Sequence, residues 1–198
     1  GGMFTLTKLA GELGISKKDL QSGTIRLPAY RALYLDHILK EGPGITYYRD
    51  QLFKSMVRAV KTVEDSDEPV PARFEAILRE YQKTGFRWMK TLDKCGFGGI
   101  LADDMGLGKT IQVIALFEDT YSSGEKAPSL VVCPASLVYN WEQEIQKFAP
   151  DLKVRSVVGT GPQRLELLEK IKEDPSGCQI LITSYDLLRR DIEQYQNL

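Results

Sequence analysis

Residues 99–112 read Gly-Ile-Leu-Ala-Asp-Asp-Met-Gly-Leu-Gly-Lys-Thr-Ile-Gln, and this stretch restricts the fold more than any other. The apolar run Ile100, Leu101, Ala102 predicts a buried strand. Gly106 and Gly108 predict a turn, and the apolar positions Ile111, Val113, Ile114 and Leu116 predict a helix. Strand, glycine turn and helix in that order are the context a nucleotide phosphate loop requires. The glycines let successive N–H groups curl toward an anion beside a helix N-terminus. Lys109 supplies charge for the β- and γ-phosphates, and the Thr110 hydroxyl is placed to ligate Mg²⁺. The general pattern begins with glycine five residues before Gly108, and here that position is Asp103. A chance Gly-x-Gly-Lys-[Ser/Thr] has a probability on the order of 1% in such a chain. Phosphate binding is therefore favoured over an ordinary glycine turn preceding a lysine.

The 198 residues have room for one large or two small domains, and 42% hydrophobic with 27% charged residues suits a packed core. No apolar run approaches membrane-spanning length, and no signal-peptide pattern opens the chain. Cys95, Cys133 and Cys178 are widely spaced and form no metal-binding pair, so a reducing, cytoplasmic compartment is expected. A net charge of −1 carries no global nucleic-acid signature; any DNA contact must come from a local groove.

Residues 1–67 read as a helical region. Leu6, Leu9 and Leu13 have helical spacing, with Gly14 as a stop. A second helix opens at Leu27-Pro28, has Tyr30, Leu33, Tyr34 and Ile38 on its apolar face, and ends at Gly42-Pro43-Gly44. A third runs from about Tyr48 to Val63 with Leu52, Phe53, Met56, Val57 and Val60 inward. Its basic stripe, Lys54, Arg58 and Lys61, is either a solvated face or a phosphate contact, and the first is commoner. His37 is the sole histidine, which excludes chemistry by a His pair. The acidic, proline-bearing segment Glu64–Pro71 is the best domain boundary, giving domains at 1–67 and 68–198.

Beyond it, Tyr81, Gly85, Trp88, Met89 and Leu92 share one helical face, with Gly85 allowing a close backbone approach. From Gly98 onward strands are expected near 98–103, 129–133, 154–158 and 179–183. Helices are expected near 108–121, 136–148 and 163–173. The spacing suits successive βαβ units of an α/β lobe, a parallel sheet covered by helices.

Several further stretches point in one direction. They are Leu78-Arg79-x-Tyr81-Gln82-x-x-Gly85-Phe86-x-Trp88, Asp103-Asp104-Met105-Gly106-Leu107-Gly108-Lys109-Thr110-x-Gln112, Val132-Cys133-Pro134-Ala135-Ser136-Leu137-Val138-x-Asn140-Trp141-x-x-Glu144 and Ile182-Thr183-Ser184-Tyr185-Asp186. In order and spacing they closely resemble the Swi/Snf-type DNA translocases of helicase superfamily two. The resemblance covers about residues 73–198, and that family has Asp-Glu where Asp103-Asp104 stand.

The resemblance implies a RecA-like, ATP-binding first lobe with a P-loop. It also implies a parent enzyme that is a DNA-dependent ATP hydrolase translocating on double-stranded DNA together with a second lobe. ATP and Mg²⁺ would be its cofactors, no membrane its partner, and the cytoplasm (the nucleoid, in a bacterium) its location. Gln82 would read adenine, since an amide both donates and accepts. Asp104, Met105, Gly106, Leu107, Gly108, Lys109 and Thr110 would complete the nucleotide site. Ser136 and Asn140 would contact DNA, with Ser136 as a plain helix cap the open alternative. Thr183, Ser184 and Tyr185 match the family's strand-tracking motif, with a cap by Ser184 again the alternative. Gly159 and Arg164 fall near another backbone-contacting segment. Leu137, Trp141, Ile145 and Phe148 would form a buried helix face, so Trp141 reads as core. No Asp-Glu pair, second lobe or arginine finger follows, so this stretch by itself is expected to be nearly inert. A restriction-type translocase and a non-hydrolysing scaffold are the competing readings.

Overall fold

The computed structural model describes residues 31–41, 48–62, 66–196 and 198, with 10, 11, 15, 16, 18 and 21. The readings on Leu6, Leu9, Leu13 and Gly14, on Leu27-Pro28 and Tyr30, and on Gly42-Pro43-Gly44 lie outside these residues. So do those on Val63 to Asp65 and on the side chains of Leu33, His37, Ile38, Val60 and Lys61. The chain divides into two compact units, Gly1–Asp67 with Arg87–Ile100, and Glu68–Phe86 with Leu101–Leu198.

In the first unit, α1 (Ala32–Glu41) and α2 (Gln51–Lys61) carry most of the described structure. Asp50 caps α2, its Oδ1 accepting from Phe53 N at 2.7 Å, which satisfies one of the amides a helix start leaves unpaired. Val57 is buried, but Leu52, expected inward, is 81% exposed. Five residues at 3.6 per turn set it about 140° around the helix from Val57, whereas Phe53, one turn before Val57, is half-buried. Lys54 and Arg58 are exposed on α2. The buried carboxylate of Asp36 accepts from Lys40 Nζ at 2.8 Å and Arg49 Nη1 at 2.5 Å. Lys40 first, then Arg49, holds its carboxyl below the usual range.

The second unit begins with α3 (Ala72–Glu75) and the first turns of α4 (Glu80–Lys94). There follow α5 (Lys109–Ser122), β1 (Ser129–Cys133), α6 (Val138–Phe148), β2 (Val154–Ser156), α7 (Gly161–Glu173), β3 (Ile180–Ser184) and α8 (Tyr185–Asp191). The sheet is parallel with strand order β1-β3-β2, Ser129 pairing with Ile180 and Val154 with Ile180 on the other side. Central β3 is buried at every position. Its alternation serves two cores, as period-2 side chains must. Ile180 and Ile182 join Phe74, Phe86, Ile114, Val131, Val138 and Ile145 on one face. Leu181 joins Val157, Leu168, Ile171 and Cys178 on the other. Burying each such branched side chain contributes about 1.5–3 kcal/mol before entropy is subtracted.

The strand expected at 98–103 does not form: Phe97 to Asp104 has no regular structure, and Ile100 is 86% exposed. A strand needs a ladder partner, and among the described residues β1 pairs with β3 alone. Gly98 and Gly99 offer no side chains to pack, so three apolar residues do not hold an extension alone. Leu137, expected in the core, is 43% exposed within the short turn Ala135–Leu137, and Val138 at 1% takes the buried place. Trp141 and Phe148 pack against the core, as read from the sequence.

Tyr121, in the last turn of α5, secures that helix to the amino end of the sheet. Its hydroxyl accepts from Ser129 N at 2.7 Å, lies 3.1 Å from Ala127 O, and contacts Gln179 O. Among the described residues no helix is long and apolar enough to cross a membrane.

Candidate nucleotide site and sheet edge

The glycine turn forms as its composition requires. Gly106 has φ +86° and Gly108 φ +73°, left-handed values that strain any residue with a Cβ. Gly108 is the N-cap of α5, so Lys109 and Thr110 open the helix and its unpaired amides face the bend. The Lys109 ammonium turns back across the loop and donates to Asp103 O at 2.7 Å and Asp104 O at 3.0 Å. Met105 is 96% exposed at the apex.

Helix α4 grips the loop from one side. Gln82 Nε2 and the Tyr81 hydroxyl both donate to Leu107 O at 3.0 Å. Gln82 Oε1 accepts from Arg79 N at 2.9 Å, which fixes the orientation of a nearly buried amide. A Cβ on Gly108 would stand 2.5 Å from Gln82 Nε2, so glycine is needed there for space as well as for φ. One N–H and one lone pair of Gln82 stay uncommitted, the pair of functions that an adenine edge requires. The neighbouring cation, Lys83, is spent on Glu75 at 2.7 Å and Glu80 at 3.1 Å. Those carboxylates, Glu75 first, raise its pKa.

Two contacts escaped the sequence reading. Tyr81, which shares a helical face with Gly85, Trp88, Met89 and Leu92, is 40% exposed and bonded to the loop. Gly85 admits a side chain and not a backbone: the Gln112 carboxamide fills the place of its Cβ. The only available signals were that Tyr81 adjoins Gln82 and that Gln112 lies one turn beyond Lys109.

The carboxyl ends of β1 and β3 lie side by side, Cys133 opposite Ser184. This brings the segments 134–140 and 184–186 to one edge of the sheet. Ser136 and Asn140 are exposed there, and Tyr185 is 61% exposed. Ser136 makes no cap; the residue preceding α6 is Leu137, which has no side-chain cap bond. Ser184 does cap, its Oγ accepting from Leu187 N at 3.4 Å. Thr183 is completely buried, and its hydroxyl donates to Val157 O at 3.1 Å.

Arg164 is also removed from solvent. Its Nε and Nη2 donate to Asp191 Oδ2 and Oδ1 at 2.6 and 2.9 Å, and its Nη1 to Gly159 O at 2.7 Å. The pair raises the arginine pKa and holds the Asp191 carboxyl below the usual range. This arginine anchors α7 to α8 from inside.

Residues 81–198 match the model of the SNF2-related domain, and residues 1–71 that of the bacterial SNF2 helicase associated region. A putative ATP-dependent helicase/translocase, YwqA, of Bacillus subtilis is 38% identical over 78% of this chain and 17% of its own length. An uncharacterized ATP-dependent helicase of Mycoplasma pneumoniae is 41% identical over 88% of this chain and 17% of its own. The chain thus spans under a fifth of the length of these relatives. Among solved structures, the Sulfolobus solfataricus SWI2/SNF2 ATPase core in complex with dsDNA superposes with a TM-score of 0.51. It is 46% identical, over 59% of this chain and 23% of that one.

Proposed function

Since the chain belongs to the SNF2-related domain family, we propose that its residues 68–198 are the ATP-binding, RecA-like lobe of a DNA-dependent ATPase. The whole protein would translocate along double-stranded DNA, with residues 1–67 as an accessory domain. The observation that carries this reading is the Lys109 ammonium, held at 2.7 and 3.0 Å by two loop carbonyls beside the amides that open α5. A polyphosphate presents stronger acceptors than those carbonyls, so the ammonium has only to swing from one set of oxygens to another.

The residues suit ATP. Main-chain amides of Met105 to Thr110 would wrap the phosphates, with Asp104 and Leu107 shaping the bend. Gln82 would take the adenine edge. Thr110 would offer its hydroxyl to a Mg²⁺ ion that also takes phosphate oxygens. Bound Mg²⁺ neutralises charge that develops on the phosphates. At the sheet edge, Ser136, Asn140 and Tyr185 are the exposed candidates for the DNA backbone. Thr183 and Ser184 would serve by holding the turn into α8. The three free cysteines suit a reducing cytoplasm.

The test is ATP hydrolysis by the full-length protein with and without duplex DNA. Hydrolysis stimulated by DNA and reduced at least a hundredfold by Lys109→Ala is the expected result, about the loss for removing a transition-state donor. A protein that binds ATP but shows no turnover with any duplex would be a scaffold instead.

A further inference from the structure

Gln112 has no task in the account above, yet its surroundings are specific. Its side chain is completely buried, in the first turn of α5. Nε2 donates to Asp103 Oδ2 at 3.1 Å and lies 3.4 Å from Gly108 O. Oε1 is buried without a hydrogen-bond partner. Rotating the amide by half a turn would set that oxygen against the Asp103 carboxylate, so charge fixes the orientation. Oε1 stands 1.9 Å from where a Cβ of Gly85 would be, and no other residue at 85 leaves it room.

An unpaired buried amide oxygen is unfavourable, and methionine would fill a similar volume without one. The amide is therefore explained by its NH₂ group. What that group holds is Asp103, whose backbone carbonyl takes Lys109 Nζ at 2.7 Å. Gly85, Gln112, Asp103 and Lys109 thus form one chain of contacts from helix α4 to the mouth of the loop.

We propose that Gln112, seated on Gly85, is a positioning residue for the nucleotide loop: it fixes Asp103 and thereby the carbonyls that set the Lys109 ammonium for a polyphosphate. The proposal rests on the phosphate-loop reading above and adds to it that Gln112 serves the polyphosphate end of the nucleotide, independent of the base.

The experiment measures binding of a fluorescent ATP analogue and its displacement by inorganic tripolyphosphate, using the full-length protein with Mg²⁺. Gln112→Met is expected to weaken both ligands by about the same factor, near tenfold, the size of one hydrogen bond to a charged group. Gly85→Ala, which pushes Oε1 aside, should lose a similar factor. Combining Gln112→Met with Asp103→Ala should be no worse than the weaker single variant, because both break the same link. Unchanged tripolyphosphate affinity in Gln112→Met, a loss confined to the ATP analogue, or additive single losses overturns the proposal. Should Gln112→Met fail to fold, unchanged tripolyphosphate binding by Gly85→Ala overturns it equally. If Lys109→Ala binds tripolyphosphate like wild type, the phosphate-loop reading itself fails and this inference with it. If Lys109→Ala loses binding and Gln112→Met does not, the positioning role alone is lost.

Discussion

Arg164 and Asp191 form a two-pronged ion pair inside the second unit, at 2.6 and 2.9 Å, with side chains only 6% and 9% exposed. Two charges taken out of water are tolerated when every prong is matched, and breaking one side strands the other. Asp191→Asn is expected to cost about 3–5 kcal/mol in chemical denaturation. Arg164→Leu combined with Asp191→Leu should cost less than either change alone.

The same pair sets an acid response. The folded-state pKa of Asp191 is depressed, so its contribution is complete above the ordinary value of 3.8 and disappears as the pH falls through the lower folded value. Melting temperature measured from pH 6 downward should therefore decline below about pH 4 more steeply in wild type than in Asp191→Asn.

Gln82 bonds the loop and keeps one N–H and one lone pair uncommitted, which the proposed adenine contact would use. Gln82→Ala is expected to reduce the preference for ATP over GTP to near unity and also to weaken both nucleotides. Tyr81→Phe removes the other bond to Leu107 O and should leave the preference unchanged. Competition binding with the two nucleotides separates the effects.

At the sheet edge Ser136 and Tyr185 are exposed and Thr183 is buried, so the proposed DNA contact and the support beneath it can be told apart. Ser136→Ala with Tyr185→Ala is expected to weaken duplex DNA binding about tenfold, on the scale of two lost contacts. Thr183→Val should leave DNA affinity within about twofold while costing about 1–3 kcal/mol, because it leaves Val157 O without its buried donor. Fluorescence anisotropy and thermal melts read the two quantities.

Tyr121 and the loop lie at opposite ends of α5, about 20 Å apart at 1.5 Å per residue. Tyr121→Phe should lower stability by about 1–3 kcal/mol, since it deletes a buried hydroxyl that several groups share. Nucleotide affinity should not change.

Periodicity made the helices and the paired strands readable. The expected strand at 129–133 coincides with β1, and the helices expected at 108–121 and 163–173 overlap α5 and α7. The glycine turn was readable too, since positive φ at Gly106 and Gly108 follows from local sterics. Less visible was whatever depends on a partner. Ile100 to Ala102 has strand composition but pairs with no strand among the described residues, and Thr183 resembles a surface hydroxyl until Val157 is placed beside it.

From its residues alone this protein could be identified as a chain of alternating strands and helices around an anion-binding bend, because those features depend on neighbours within a turn or two. Which polar groups face outward was decided only by the assembled fold. Arg164 and Thr183 meet partners more than twenty residues away, and Gln112 packs against a glycine of another helix. Burial and hydrogen bonding of that kind depend on distances in space, which spacing along the chain does not encode.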